Sequence, residues 1–266
     1  MAQINIQYLP AASKIFRKLI AKSNPKIICD IGSRFGEDTL INYKLSPKSQ
    51  FYCFEANPDN FKKLCENIVD TSKISAIHKI VCDKVDIINL NVYEKRDNKG
   101  LSSIKNRISH KSAKTYPVES VRLDHFFSEL KKSDNVALWI DVEGATYDVL
   151  VGAELIFSNL WLIHCEVENR PMFSNSALRS EIKQFFKIKG FREICYSPHI
   201  TEQGISSIGD SLFINENMLS MRDWMTIILP LLKEKYDLLK GRVFRFLKLN
   251  LPFLIRIWEW LKREKF

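Results

Sequence analysis

The chain has 266 residues, of which 45% are hydrophobic and 27% charged, a composition that excludes collagen-like, low-complexity and largely disordered proteins. At this length we expect one main domain with room for an appendage. The formal net charge is +9, and residues 217–266 carry +6 of it. We therefore predict a main domain over 1–216 and a separate basic tail over 217–266.

The N-terminal residues and the cysteines favour a cytoplasmic location. Residues 1–16 lack the basic stretch followed by an apolar one that marks a secretory signal. No run approaches the roughly 20 apolar residues of a spanning helix. The six cysteines show no CxxC spacing, and we expect reduced, mostly buried thiols rather than disulfides or zinc ligands. The sequence predicts no metal site.

Strand-like and helix-like patterns alternate along the chain. The predicted helices are 10–22, 37–43, 58–69, 124–132, one from about 144 and 176–189. The predicted strands are 27–31, 51–55, 74–81, 136–141, 161–167, 191–195 and 211–214. The polar segment 94–118 is predicted to be a long loop. This alternation predicts a doubly wound, mostly parallel α/β sheet with helices on both faces.

The turn after the first strand has features of a nucleotide site. Gly32 permits a tight turn and Gly36 lets the next helix start close to a ligand, with Ser33 and Arg34 between them. The middle glycine of a dinucleotide motif is replaced by Arg34. A helix-capping turn without a ligand is the alternative.

Acidic residues at the strand ends favour a positively charged nucleotide. Glu55, followed by Ala56, closes the second strand, where a carboxylate can accept hydrogen bonds from both ribose hydroxyls. Asp83 follows the third predicted strand. Asp30 stands two residues before Gly32, where its charge would repel a pyrophosphate but suits the sulfonium and ammonium groups of S-adenosylmethionine. We therefore predict S-adenosylmethionine as the cofactor.

A second acidic group follows the later strands. Asp141 and Glu143 come directly after an apolar strand, and His164, Glu166 and Glu168 share one face of the next strand. Such carboxylates can hold a polyol, accept a proton from a hydroxyl or ligate a divalent cation. Asp141 or Glu166 is the predicted base or metal ligand, supported by the other three, although capping and salt bridges are alternatives. We do not predict that a cation is required.

Four segments, DIGSRFG (30–36), FEANPDNFKKL (54–64), SVRLDHF (120–126) and IDVEGATYDVLVGA (140–153), resemble the FkbM family of S-adenosylmethionine-dependent methyltransferases. The resemblance covers roughly residues 26–215. It implies a class I methyltransferase fold, which is Rossmann-like, and O-methylation of a hydroxyl on a sugar, glycan or natural product. Two departures from the family pattern are the Ser-Arg pair at 33–34, where Ala-Asn is frequent, and Trp139 at a position where lysine is common.

The resemblance also implies roles for individual residues. Asp30, Gly32 and Gly36 would line the methionine part of the cofactor, Glu55 would bind the ribose, and Asp141 would face the reaction centre. The segment 101–103, Leu-Ser-Ser, is similar to a serine pair that the family carries.

The tail has the pattern of a basic amphipathic helix. Leu254, Ile257, Trp258 and Leu261 share one helical face, with basic residues elsewhere around it. This suits an anionic membrane surface, and a helical cap or a homodimer contact is the alternative. With membrane binding, the protein would be peripheral on the inner face and the acceptor a lipid-linked surface glycan.

Other functions remain open from the sequence. The positive charge suggests a nucleic-acid methyltransferase, but it lies in the tail rather than around the cleft, so no nucleic acid is expected as a partner. A methyltransferase of another small molecule, or a non-catalytic partner in a glycan-assembly complex, are further alternatives. The surroundings of His199 in the sequence assign it no role.

Overall fold

A computed structural model describes residues 10–68, 72–93, 101–109, 114–201 and 204–218. The helices are α1 (Ala11–Ser23), α2 (Glu37–Leu45), α3 (Pro58–Asn67), α4 (Leu123–Phe126), α5 (Thr146–Val151) and α6 (Arg179–Ile188). The strands are β1 (Ile27–Ile31), β2 (Gln50–Phe54), β3 (Ile74–Ile77), β4 (Ile80–Val81), β5 (Ile87–Val92), β6 (Ser102–Ser103), β7 (Lys114–Val121), β8 (Val136–Ile140), β9 (Leu160–Glu168), β10 (Phe191–Thr201) and β11 (Gly204–Asn215). Residues 219–266 lie outside this description, so the proposed tail stays a prediction.

The main sheet has seven strands in the order β10-β11-β9-β8-β1-β2-β3. Neighbouring strands from β3 to β9 pair in parallel, and β11 lies antiparallel between β9 and β10. The predicted mostly parallel α/β sheet is therefore confirmed. The strand order reverses between β1 and β8, and ligands of such sheets bind beyond the carboxyl ends of the strands at this position.

Helices pack on both faces of the sheet because the central strands are buried on both sides. On one face, Phe16 of α1 contacts Trp139 of β8, with ring centroids 5.2 Å apart. On the other face, α5 and α6 contribute Val149 and Phe186 to a core that includes Ile31. All five residues of β1 and of β8 are buried, which accounts for the wholly apolar sequence of β8 and for that of β1 apart from Asp30.

A second sheet of four strands, in the order β4-β7-β5-β6, corrects two predictions. The single strand predicted over 74–81 ends at Ile77, and β4 belongs to the second sheet. The predicted loop over 94–118 contains β6 and the first part of β7. Among the described residues, a small core around Ile80, Leu90 and Val118 covers one face of this sheet. Its strands therefore alternate apolar with polar residues, and such a sequence resembles a polar loop.

Three further elements differ in length from the prediction. Helix α4 is a single turn rather than a helix over 124–132, because the chain turns at 127–129. Strands β10 and β11 extend well beyond 191–195 and 211–214, and their distal ends carry the exposed Ile200 and Ile205. The apolar pattern marked only the part of this hairpin that covers the core.

Five of the six cysteines are buried and Cys65 is exposed, in agreement with the expectation for most of them. Among the described helices, none has the length and apolar character needed to cross a membrane.

Candidate active site

A cleft of about 310 Å³ opens beyond the carboxyl ends of β1, β2 and β8. One wall is the turn between β1 and α2, and a second is the segment after β2. The third is the loop between β8 and α5, next to Glu166 of β9. The second sheet closes the remaining side with Leu90, Leu101, Ser102, Ser103 and Ile104. The cleft therefore lies at the position that the strand order predicts for a ligand.

The turn between β1 and α2 is held tightly between its neighbours. Gly32 has φ +86°, and a Cβ atom there would lie 2.0 Å from the carbonyl oxygen of Asp141. Its N–H donates to the carbonyl of Phe54 at 2.9 Å. No other residue fits between the ends of β8 and β2, because only glycine combines this backbone conformation with the absence of a side chain.

Glu55 links two backbone turns at the cleft wall. Its Oε2 accepts from the N–H of Arg34 at 2.7 Å and its Oε1 from the N–H of Asn57 at 2.8 Å. Burial raises the pKa of Glu55 to about 7, although these backbone hydrogen bonds favour the charged form. Asn60 and the N–H of Ala56 also face this carboxyl group, which lines the cleft, where a ligand hydroxyl can donate to it.

Three carboxyl groups, those of Asp141, Glu143 and Glu166, line the cleft close enough for their charges to interact, and we call the part that they line the acidic end of the cleft. Asp141 has exposed surface within the cleft, but the walls enclose its carboxyl group. This desolvation and the charge of Glu143 raise its pKa to about 7. Burial and the neighbouring charges of Asp141 and Glu143 raise the pKa of Glu166 well above its usual value. This raised pKa favours the protonated form of Glu166, in which the carboxyl group can donate a hydrogen bond.

The two serines of β6 join the second sheet to the main one. Ser102 Oγ accepts from Asn57 Nδ2 at 3.1 Å, and Ser103 Oγ donates to the carbonyl of Glu143 at 2.6 Å. The N–H of Lys105 donates to Ser103 Oγ at 3.0 Å. This serine pair therefore fixes the position of one cleft wall relative to the strand ends.

A family model described as "Methyltransferase FkbM domain" matches residues 30–193, more than half of the chain. The chain belongs to the FkbM methyltransferase family. It is thus an S-adenosylmethionine-dependent methyltransferase, and its sheet has the class I methyltransferase architecture that the resemblance implied.

One curated relative and two solved structures illustrate the likeness. The 2-O-methyltransferase NoeI of Sinorhizobium fredii (strain NBRC 101917 / NGR234) is 26% identical over an alignment of 174 residues, and the match covers 60% of this chain and 71% of that protein. Cofactor-bound Rv0187 from MTB matches 81% of this chain and 83% of its own, with 11% identity and a TM-score of 0.47. M. capricolum TrmK in complex with S-adenosyl-homocysteine matches 78% of this chain and 72% of its own, with 10% identity and a TM-score of 0.42. The family assignment rests on the family model and not on these two structures.

The residues of the cleft fit the cofactor of this methyltransferase family. Glu55 can accept hydrogen bonds from ribose hydroxyls, and the carboxyl group of Asp141 favours a cation next to Gly32. When bound, the cofactor supplies a methyl group on a positively charged sulfur. Among the described residues, no cluster of three or more His, Cys, Asp or Glu side chains is arranged to hold a metal ion.

The structure places some of the predicted cofactor residues on the cleft wall and others behind it. Gly32, Arg34, Glu55, Ala56 and Asp141 line the cleft. The four that do not are Asp30, Ser33, Gly36 and Asp83.

The residues behind the wall support it. The Asp30 carboxylate lies beneath the turn and accepts a hydrogen bond from Thr39, and burial raises its pKa to about 8. Ser33 Oγ donates to the carbonyl of Asp30 at 2.8 Å. The backbone carbonyl of Asp83 accepts from Arg122 Nη1 at 2.9 Å. The sequence shows which residues end a strand but not how deep each side chain lies.

The predicted catalytic group divides in the same way. Asp141 and Glu166 line the cleft, whereas His164 and Glu168 do not. His164 is stacked on Trp139 with ring centroids 3.7 Å apart, its Nε2 lies 3.1 Å from Ser13 Oγ, and burial lowers its pKa to about 4. Trp139, one of the departures from the family pattern, therefore serves as the aromatic partner of a buried histidine.

Glu168 holds the loop that follows β9. Its Oε2 accepts from the N–H of Met172 and from Ser176 Oγ, both at 2.8 Å. Its backbone partner Ile208 belongs to β11. The structure gives this carboxylate a role in loop geometry, away from the cleft.

The sequence interpretation missed the wall that the second sheet contributes. Leu90, Leu101 and Ile104 line the cleft opposite the strand ends. The alternation of apolar and polar residues over 87–92 is a strand signal that could have revealed this sheet.

Proposed function

We propose that this FkbM methyltransferase is an O-methyltransferase whose acceptor is a hydroxyl of a sugar or glycan. The observation that carries the proposal is the grouping of Asp141, Glu143 and Glu166 at the acidic end of the cleft. Neighbouring hydroxyls of a sugar can donate to ionised carboxylates and accept from a protonated one, so they match this group better than an apolar acceptor does. NoeI, a 2-O-methyltransferase by name, supports oxygen as the methylated atom.

The residues of the cleft contribute mainly by positioning. Glu55 and the turn at Gly32 would hold the nucleoside part of the donor. Asp141 would accept a hydrogen bond from the acceptor hydroxyl and direct its oxygen at the methyl carbon. Because alignment of two bound reactants supplies a large part of the acceleration in such reactions, loss of the Asp141 charge should lower turnover.

The charge of the cleft favours a neutral acceptor over a nucleic acid. Affinity for nucleic acid comes largely from Lys and Arg side chains that neutralise phosphates. The part of the cleft proposed to hold the acceptor is lined instead by the carboxyl groups of Asp141, Glu143 and Glu166. Family membership and the complete cleft likewise favour an enzyme over a non-catalytic partner.

The test of this proposal is an acceptor screen with the full chain. We would incubate it with S-adenosylmethionine and a panel of methyl glycosides of hexoses, 6-deoxyhexoses and uronic acids, and measure S-adenosylhomocysteine and methylated product by mass spectrometry. We expect turnover with at least one glycoside and none with total RNA. Turnover with RNA alone would overturn the proposal.

Asp141→Asn keeps the shape of the side chain and removes its charge. At saturating donor, we expect kcat/KM for the glycoside to fall about 10- to 100-fold, the worth of one hydrogen bond to a charged group. Glu129→Gln, at an exposed residue of the turn after α4, is the matched control and should leave kcat/KM unchanged.

We further propose that the enzyme is cytoplasmic and peripheral on the inner face of the membrane, with a lipid-linked glycan as acceptor. The support is the basic, Trp-containing segment 217–266. Sedimentation with vesicles tests it: binding to phosphatidylglycerol vesicles but not to phosphatidylcholine vesicles is expected. If the protein binds neither kind of vesicle and is a homodimer, this segment is better explained as a dimer contact.

A further inference from the structure

A histidine–aspartate pair lies beside the acidic end of the cleft and has no role in the site described so far. His199 Nε2 lies 3.1 Å from Asp210 Oδ1. Asp210 belongs to β11, where it is in register with Glu166 of β9. Because Glu166 lines the cleft, the pair begins one strand away from the cleft wall.

The backbone around His199 departs from regular strand pairing. The register between β10 and β11 shifts between Pro198 and Ile200, the interval that contains His199. Irregularities of this kind redirect side chains and are frequent next to active sites. The His199 side chain keeps 35% of its surface exposed, whereas Asp210 is 10% exposed. One side of the imidazole is thus held by a buried carboxylate, while part of the ring stays accessible next to, but not among, the residues that line the cleft.

We propose that His199, oriented by Asp210, accepts the proton of the acceptor hydroxyl during methyl transfer. With Nε2–H donating to Asp210, the lone pair that can take a proton is on Nδ1. The hydroxyl oxygen forms a bond to the methyl carbon, the carbon–sulfur bond breaks with its electron pair on sulfur, and the O–H proton moves to Nδ1. The proton then passes to solvent. This inference rests on the proposed O-methyltransferase function.

The groups facing His199 favour the protonated imidazole that this step produces. The hydrogen bond and charge of Asp210, together with the charges of Asp141 and Glu143, raise the pKa of His199 against the opposing effect of burial. His164 of β9 also faces Asp210, with its Nε2 3.9 Å from Oδ2, but its lowered pKa keeps it neutral.

The alternative proton acceptors in the cleft are less suited to the task. Burial and the neighbouring charges of Asp141 and Glu143 raise the pKa of Glu166 well above its usual value, which favours the protonated form that cannot accept another proton. Asp141 lines the cleft and its backbone adjoins Gly32, so its carboxyl group is placed to orient the hydroxyl by accepting a hydrogen bond. The imidazole of His199 combines a free lone pair on Nδ1 with a raised pKa, and the raised pKa favours uptake of the proton.

The experiment compares His199→Gln, Asp210→Asn and the control His125→Gln with the wild-type full chain. His125 is at the start of α4 with 59% of its side chain exposed. Folding is checked by circular dichroism and donor binding by calorimetry. The pH dependence of kcat is measured with the glycoside panel described above, and the imidazole of His199 is titrated by NMR.

We expect His199→Gln to bind the donor as the wild type does and to lose about 100-fold in kcat. In the wild type, kcat rises with pH through the pKa of His199, because only the neutral imidazole accepts a proton. Asp210→Asn removes the charge that raises this pKa, so both the rise in kcat and the NMR titration should move to lower pH. If Asp210 had only a structural role, its replacement would shift neither the pH profile of kcat nor the NMR titration of His199.

Two outcomes would overturn the inference. One is a folded His199→Gln enzyme with kcat within threefold of the wild type and an unchanged pH profile. The other is an Asp210→Asn enzyme in which the NMR titration of His199 and the pH profile of kcat are the same as in the wild type. This second outcome tests the inference even if His199→Gln does not fold. If the variants retain turnover, only the proposed role of His199 is contradicted. If the wild type methylates no glycoside, the proposed function is contradicted as well.

Discussion

The Ser103 hydroxyl donates a 2.6 Å hydrogen bond to the backbone carbonyl of Glu143, 40 residues further along the chain. This contact joins the second sheet to the loop that carries two of the clustered acids. Ser103 is 3% exposed, so the carbonyl that it satisfies has little access to water. The relative position of the two cleft walls depends on this hydrogen bond.

Ser103→Ala should therefore affect both stability and the cleft. Removing the hydroxyl leaves the Glu143 carbonyl and the Lys105 N–H without their partner, which costs about 1–3 kcal/mol in the free energy of unfolding. We also expect weaker donor binding in calorimetry. Ser128→Ala, at an exposed serine, is the control and should change stability by less than about 0.5 kcal/mol. Equal losses in the two variants would contradict this account.

Gly32 is the residue at which the backbone conformation and the lack of space act together. Gly32→Ala adds a methyl group 2.0 Å from the Asp141 carbonyl at φ +86°, whereas Gly204→Ala, at φ +113°, meets nothing within 4 Å. In both variants the positive φ angle should lower the free energy of unfolding by about 1–2 kcal/mol. Only Gly32→Ala must also separate the ends of β1 and β8, so its loss in urea unfolding should exceed that of Gly204→Ala by at least about 2 kcal/mol. Similar losses would show that the close approach is unimportant.

The central sheet could be predicted because its strands are buried on both faces. Strand β8 is a continuous apolar run and β1 is apolar apart from Asp30. Ile31, the last residue of β1, and Asp141, the residue after β8, both line the cleft. The second sheet was missed because β7 alternates buried and exposed residues and includes Pro117. A strand with one small buried face is difficult to distinguish from a loop.

The site was predictable to the extent that it depends on strand ends. Asp141, Glu55 and Glu166 follow from that position alone, since carboxyl ends of parallel strands share one edge. His164 shares the face of Glu166 by alternation, but α1 covers it, and packing of a distant helix is not visible in a local pattern. The His199–Asp210 pair depends on a register shift between strands, for which the sequence carries no simple signal.

Asp30 should make the stability of the protein depend on pH in an unusual direction. Its pKa rises from 3.8 to about 8 on folding, because of burial. Between these values the folded state holds a proton that the unfolded state has lost. The free energy of unfolding therefore falls as pH rises, by up to about 1.4 kcal/mol per pH unit from this residue.

Asp30→Asn, which cannot ionise, removes this dependence. Relative to the wild type, the variant should gain stability steadily from about pH 4 to pH 8 in urea unfolding. Asp59→Asn, at an exposed residue of α3, should show no such trend. A constant difference between Asp30→Asn and the wild type would mean that Asp30 is ionised throughout this range.

His164 should make the free energy of unfolding depend on pH in the opposite direction, between about pH 4 and pH 6.5. Burial lowers its pKa from 6.5 to about 4, so between these values the unfolded state binds a proton that the folded state does not. The free energy of unfolding therefore falls as pH drops from 6.5 to 4, by up to about 1.4 kcal/mol per pH unit from this residue. His164→Phe keeps an aromatic ring against Trp139 and cannot titrate. At pH 7.5 it should be about 1–2 kcal/mol less stable than the wild type, because Ser13 loses its partner.

On acidification this deficit should shrink and then reverse, because only the wild type loses the contribution of a neutral buried imidazole. Urea unfolding of both proteins between pH 4.5 and 7.5 measures the difference directly. For His125→Gln, at the exposed histidine of α4, the free energy of unfolding should change with pH as it does in the wild type over the whole range. If the stability of His164→Phe also ran parallel to that of the wild type, His164 would have to take up its proton at the same pH in the folded and the unfolded state. The nearby carboxylate of Asp210, 3.9 Å away, would then offset the effect of burial on its pKa.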